Sequence, residues 1–423
     1  MIIDEPYIKV DGDEVSVEAA VTLETGEPAC PPALFFAFPR AYAGLVTDRA
    51  DAFATALLPL AMRRGERLHV RGDLSCRLAQ GMRDWQHIQA AWKPQYFSPV
   101  AVECDRVSGR DPGEATGAVG AAFSGGVDSF HTLWTHLAAN ERYRPYAITH
   151  CLIINGFDKD ADLAGGGSFR ALQGVYEPMM AELGISLVVV RTNLQQLVGA
   201  VVQKQSFAAF VTAPALVLGR LFSRFYVPSS YKFTLLGMFP DGSHPMLDHL
   251  LSSESMETIH DGAHLTRVEK TVAISRWPAT FDRLRVCFGA TGVQPGTIAI
   301  ANCCTCEKCV RTMVTLDLAG ALGSYACFPK PLERRNIRNS DYRWPGSRIF
   351  ADEIIEYAGR VGRNDVVRDM RRAIFNSVSF HPRMGRIVGA SFAVEKRSKL
   401  YAAVVGPPKR LLKRLGWGRG WLY

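Results

Sequence analysis

The chain has 423 residues, ten of them cysteines, with 48% hydrophobic and 21% charged content and a formal net charge of +8. At roughly 150 residues per domain this supports two or three domains with ample apolar material for a core. There is no run of about 18 apolar residues and no basic or apolar leader at Met1-Ile-Ile-Asp-Glu-Pro6, so neither a spanning helix nor a secretory signal is expected. Four cysteines lie within Cys303–Cys309, which points to metal binding in a reducing cytoplasm over a disulfide framework.

In chain order, Tyr7–Val10 and Val15–Leu23 alternate as strands do, with Asp11-Gly-Asp13 as the turn between them. Leu34–Phe38 and Leu68–Arg71 read as further strands, with a turn at Gly72-Asp73, and Val100–Glu103 closes the region as another. Phe53–Met62 and Gln86–Trp92 read as helices. Residues 1–107 thus form an α/β accessory domain without a chemical motif. His69, His87, Cys30 and Cys76 stand alone, the histidines in structural or surface roles and the cysteines as small buried hydrophobes.

Ser108–Gly117 is a linker by its Gly, Pro and charge content. Ala118–Phe123 then reads as a buried strand, Ser124-Gly-Gly-Val-Asp-Ser129 as a tight turn, and Phe130, Leu133, Trp134 and Leu137 as one helix face. Such a turn cradles an anion: its glycines allow close approach, and the first N–H groups of the helix point at the ligand. Ser124 and Ser129 add hydroxyls, and Asp128 is placed to hold magnesium beside phosphates.

Strands at Tyr146–Ile154, Leu187–Val190 and Phe233–Met238, with helices at Val175–Leu183 and Phe207–Phe222, predict a parallel sheet. Its carboxyl ends, where ligands bind, carry Ser124–Ser129, Asn155–Asp158, Arg191–Asn193 and Phe239–Ser243. Gly165–Ser168 reads as a flexible loop.

The segment Asp241–Lys270 is polar, and Arg267 and Lys270 share a face of a helix over Leu265–Ile274, where two cations could clamp a polyphosphate or simply face solvent. Cys303, Cys306 and Cys309 are spaced C-x2-C-x2-C, and Cys287 can complete a four-thiolate zinc site, with an iron–sulfur cluster as the alternative. Cys304 is left over, and a helix follows over Val310–Ala321. Beyond Pro329, helices are expected at Ile349–Val361 and Asp365–Phe375 in a basic region, 329–423. Lys396–Tyr423 has eight basic residues and no acid. It reads as a solvated terminal helix in preference to a nucleic-acid or membrane contact.

Ser-Gly-Gly-Val-Asp-Ser resembles the PP-loop of the ATP pyrophosphatases, which cleave ATP between the α and β phosphates. With a lone Cys and C-x2-C-x2-C far downstream, the chain is similar to the 7-cyano-7-deazaguanine synthase branch over about Val119–Cys327. The resemblance implies a PP-loop domain at 118–328 of the adenine nucleotide α-hydrolase type, using ATP, Mg2+ and Zn2+. It implies ATP contacts at Ser124, Gly125, Gly126, Val127, Asp128, Ser129, Asn155, Gly156 and Arg191. Asp128, Ser129, Arg267 and Lys270 would then serve catalysis, and Cys287, Cys303, Cys306 and Cys309 would hold zinc. The expected reaction adenylates a small-molecule carboxylate or carbonyl oxygen, after which ammonia from a donor displaces AMP. Because Asn155-Gly-Phe-Asp158 stands where that branch has Tyr-Gly-Gln, ATP chemistry and zinc carry over and the deazaguanine substrate does not. Sulfur insertion into tRNA or a small molecule and non-catalytic nucleic-acid binding through a zinc ribbon are the competing readings, and a homodimer is open.

Overall fold

The computed structural model describes residues 1–109, 116–157, 167–236, 241–287 and 300–379. The chain forms two compact units, Met1–Leu265 with Arg283–Arg285 and Gly292–Ile300, and Thr266–Asp282 with Val286–Thr291 and Ala301–Tyr423. The expected boundary between residues 107 and 118 falls inside the first unit and that at 328 inside the second.

The first unit opens with strands β1 (Ile2–Ile3), β2 (Tyr7–Asp11), β3 (Glu14–Thr22) and β4 (Pro28–Pro39), helix α1 (Asp51–Arg64), β5 (Leu68–Ser75), α2 (Cys76–Trp92) and β6 (Val102–Ser108). Gly72 does not end β5; with φ +100° it makes a bulge between Val70 and Asp73, and the strand runs on. The chain continues through β7 (Ala118–Ala122), α3 (Val127–Thr135), β8 (His150–Asn155), α4 (Gly167–Glu182), β9 (Ser186–Thr192), α5 (Leu194–Gln205), α6 (Phe207–Val217) and β10 (Phe222–Pro228). Two short helices, α7 (Phe233–Leu236) and α8 (Pro245–Asp248), precede β11 (Glu257–Asp261).

All these strands join one sheet in the order β11-β10-β7-β8-β9-β4-β3-β1-β5-β6, with β2 on β3. The block from β11 to β9 is parallel throughout. β4 adds antiparallel to β9, pairing Phe36 with Thr192 and Ala37 with Arg191. The first hundred residues therefore extend the same sheet. From β7 the chain steps one way to β8 and β9, then crosses back to β10 and β11. With right-handed crossovers that reversal puts α3 and α4 on one face and α5 and α6 on the other, and it creates a switch point between β7 and β10. The residues of α6 from Ala208 to Val217 are all buried, because α6 lies between α1 and the sheet.

One expected strand is misplaced. Phe233–Leu236 is a helical turn, and the strand is Phe222–Pro228, where Phe222, Phe225, Tyr226 and Val227 are buried between β7 and β11. The apolar run from Phe207 conceals a break: α6 ends at Val217, and the turn Leu218–Leu221 starts a strand rich in aromatic and β-branched side chains. The expected site at Phe239–Ser243 follows that misplacement; residues 239 and 240, with Asp158 and Gly165–Gly166, lie outside the described residues.

The second unit is helical: α9 (Arg267–Ile274), α10 (Glu307–Leu318), α11 (Arg334–Arg338), α12 (Pro345–Arg360) and α13 (Asn364–Ser379). Thr266 and Glu269 close a reciprocal capping box at the start of α9. Val268, Val310, Val314, Tyr342, Ile354 and Met370 belong to its core. No helix among the described residues is long and apolar enough to cross a membrane. The tail Lys396–Tyr423 lies outside the described residues.

Candidate phosphate loop and metal centre

The loop Ser124–Ser129 leaves the end of β7 at the switch point and opens α3. β7 is five buried small or β-branched residues, so the chain reaches the sheet edge without bulk. Gly125 turns it there with φ +74°, a left-handed conformation that side chains resist. The loop is tied internally. The Ser124 N–H donates to Ser129 Oγ at 3.2 Å, and Ser129 Oγ donates to the Gly126 carbonyl at 3.0 Å. The Gly126 N–H donates to Ser124 Oγ at 3.3 Å. Arg285 fixes the outer side, its N–H donating to the Gly125 carbonyl at 2.7 Å, while the Tyr176 hydroxyl donates to the Arg283 carbonyl at 3.1 Å. Gly126 caps α3 with extended backbone and no side-chain cap bond, which suits a helix start that receives an anion. Ser124 is exposed, Ser129 buried and Asp128 half-buried in the first turn.

Across the switch point, Ser230, just beyond β10, donates to Asp128 Oδ2 at 3.4 Å. Ser230 is not legible as a site residue in the sequence, because the strand before it ends some ten residues earlier than expected. A brace lies behind α3, equally hidden in the sequence. There His136 Nδ1 meets Glu141 Oε2 at 2.6 Å and Nε2 meets Asp261 Oδ1 at 3.0 Å, while Thr132 donates to Asp261 Oδ2 at 2.6 Å. The imidazole also stacks on Tyr226, with centroids 4.2 Å apart. Burial alone would lower the His136 pKa, but its bonds and charge contacts with Asp261 and Glu141 outweigh it and raise the pKa. For Asp261, burial opposes ionisation and His136 overcomes it, holding the carboxyl at about 2. This network pins α3, and so the loop at its start, to β11.

Asn155, buried, ends β8, and Gly156 follows with φ +127° against the Thr192 carbonyl. Arg191 forms a bidentate ion pair with Glu14 and lies 4.9 Å over the Phe35 ring. These three residues line an open groove of about 250 Å3 with Lys9, Asp11, Ser16 and Glu18. In the polar segment, Asp248 accepts from Ser243 at 2.6 Å and from the His244 N–H at 2.9 Å and meets His260 Nδ1 at 2.7 Å, a closed buried cluster. In the second unit, Lys270 is wholly buried. The Arg267 N–H donates to Glu353 at 3.1 Å, and its guanidinium lies 4.7 Å over Phe350.

The second unit brings together Cys287, Cys303, Cys306 and Cys309, with all four sulfurs within 4.8 Å of one another. Three sulfur separations are 3.4, 3.7 and 4.0 Å. A tetrahedral ion with metal–sulfur bonds of about 2.3 Å sets its sulfurs roughly 3.8 Å apart, so the cluster fits one such ion. The N–H groups of Thr305 and Cys306 and the Thr305 hydroxyl all point at Cys303 Sγ, at 3.3–3.5 Å. Cys306 caps α10, which sets Cys309 one turn along the helix beside it. Asn302, unforeseen from the sequence, joins the two cysteine-bearing segments. Its Oδ1 accepts from the N–H groups of Val286 and Cys287 at 3.0 and 3.2 Å, and its Nδ2 donates to the Cys327 carbonyl at 3.0 Å. The leftover Cys304 is buried at φ 64° and donates to the Asn302 carbonyl at 3.4 Å.

The fold and sites define an α/β protein with a mostly parallel sheet, a glycine-rich loop at its switch point and a four-thiol cluster able to hold a metal ion such as zinc. Comparison with known proteins gives no match to a family model, a curated protein or a solved structure.

Proposed function

We propose that the chain is an ATP pyrophosphatase-type ligase of the PP-loop kind, with zinc in a structural role. The observation that carries the reading is the Ser124–Ser129 loop at the switch point, with Ser230 reaching Asp128 across it. Serine hydroxyls, the start of α3 and a first-turn carboxylate are the groups that bind a polyphosphate and its magnesium.

In this reading the ATP phosphates rest on Ser124–Ser129, and Asp128 holds the Mg2+ that offsets their charge. A carboxylate oxygen of the substrate attacks the α-phosphorus while the bond to the bridging α–β oxygen breaks, giving an acyl adenylate and pyrophosphate. Ammonia then adds to the activated carbonyl carbon, loses a proton to solvent and expels AMP, leaving an amide. The protein contributes position and charge neutralisation. Four thiolates with no place for water suit a closed, structural zinc site. The groups that hold ATP and Mg2+ in this reading belong to the first unit, and Arg267 and Lys270 to the second.

Calorimetry of Mg-ATP binding tests it. One site per chain is expected, weakened about tenfold or more when Ser124 and Ser129 are both replaced by alanine, through the loss of the Ser124 hydroxyl's bond to a charged group and of the Ser129 ties that shape the loop. No binding by the wild type, or equal binding by the double variant, refutes it.

A further inference from the structure

The charge of the chain is divided unevenly. From Pro329 onward, 21 Lys and Arg stand against 8 Asp and Glu, while the preceding 328 residues hold 28 against 33. A net charge of +8 thus hides an acidic body and a strongly basic end.

Within the described residues the basic surplus has a shape. Helix α13 buries Val366, Val367, Met370, Ala373 and Ile374 in the core of the second unit. Its opposite face exposes Arg368, Arg371, Arg372 and Phe375, the last 68% accessible. These positions follow i, i+3, i+4, i+7 and form one stripe about 10 Å long, the axial length of about three nucleotide steps along a strand. Beside them, Asp369 on α13 holds two arginines of α11, accepting from Arg334 Nε and Arg338 Nε, each at 2.7 Å. Arg334 remains 61% exposed while so held, and its neighbour Arg335 is 76% exposed.

We propose that the outer face of α13, flanked by α11, docks nucleic acid. Arg368, Arg371 and Arg372 grip consecutive phosphates, and Phe375 stacks on a base. Arginine's planar fork suits phosphate, and an exposed ring beside it suits an unpaired base. A membrane is disfavoured because the apolar face of α13 is already committed to the core, leaving one exposed ring where insertion needs a stripe. This inference is independent of the ATP reading, and its test does not measure ATP turnover.

The test is fluorescence anisotropy of the full chain with a fluorescein-labelled 20-nucleotide single-stranded RNA, between about 50 and 200 mM salt. The wild type is expected to bind in the micromolar range with a steep salt dependence. Arg368→Gln, Arg371→Gln and Arg372→Gln combined should weaken binding at least tenfold and reduce the log–log salt slope by about 2, at roughly 0.7 per phosphate contact. Phe375→Ala should weaken binding by about tenfold with the slope unchanged. All four side chains are exposed, so matching circular-dichroism melts will separate lost contacts from lost folding. Unchanged affinity and slope in the triple variant overturn the proposal, as does a wild type that binds phosphatidylserine vesicles but not the RNA.

Discussion

The hydroxyl of Tyr176 fills the space beside Gly125 so fully that a β-carbon at residue 125 would lie 1.8 Å from it. Gly125 therefore meets two demands together, a left-handed backbone and passage beneath a tyrosine that is itself bonded to the Arg283 carbonyl.

Gly125→Ala should cost about 2–4 kcal/mol: about 1–2 from backbone handedness, the rest from displacing Tyr176. It should also abolish Mg-ATP binding. Gly174→Ala, within α4 and with nothing near its added carbon, should instead stabilise by about 0.5–1 kcal/mol. Urea unfolding of both variants checks this; equal behaviour would mean that the loop is not built as described.

The brace on α3 has its own pH signature. The folded pKa of His136 lies above its ordinary 6.5, so its contribution is complete below about 6.5 and is lost as pH rises through the folded value. Asp261, held at about 2 against an ordinary 3.8, contributes above 3.8 and loses that contribution as pH falls toward 2, on the order of 2 kcal/mol. Both are fully present only between about 4 and 6.5. The stability difference between wild type and His136→Gln, measured by urea unfolding from pH 5 to 9, should shrink with rising pH. A constant difference would show that His136 carries no charge in the fold.

Metal content separates ligands from neighbours. Serine at Cys287, Cys303, Cys306 or Cys309 should each reduce zinc from about one ion per chain toward none, whereas Cys304→Ser should retain it. Asn302→Ala should keep zinc but lose it faster to a chelator, and destabilise by about 1–3 kcal/mol, because the buried Val286 N–H and the half-buried Cys287 N–H lose their acceptor. Elemental analysis and chelator-exchange rates measure both.

Much of this is legible in the sequence. The loop and the four cysteines are short-range patterns whose spacing encodes their geometry, and the sequence places β7, α3 and the cysteine cluster correctly. What escaped depended on contacts far apart in the chain. Phe222–Pro228 is a strand because β7 and β11 lie on either side of it, and its Phe and Val content could as well continue a buried helix. Asp261 and Ser230 reach α3 from β11 and β10, more than 100 residues away, and no local period announces such a partner. Likewise β4 joins the sheet by two pairs with β9, a link hidden behind strand alternation that suited a separate domain equally well.

The most direct measurement follows ATP labelled on the α-phosphate, with magnesium, ammonium and a pooled metabolite extract, comparing wild type with Asp128→Asn. Asp128 is expected to hold the metal that makes pyrophosphate a competent leaving group, so labelled AMP should form with the wild type and fall by about 100-fold or more in the variant. Label appearing in ADP, or AMP forming equally with Asp128→Asn, would contradict the account.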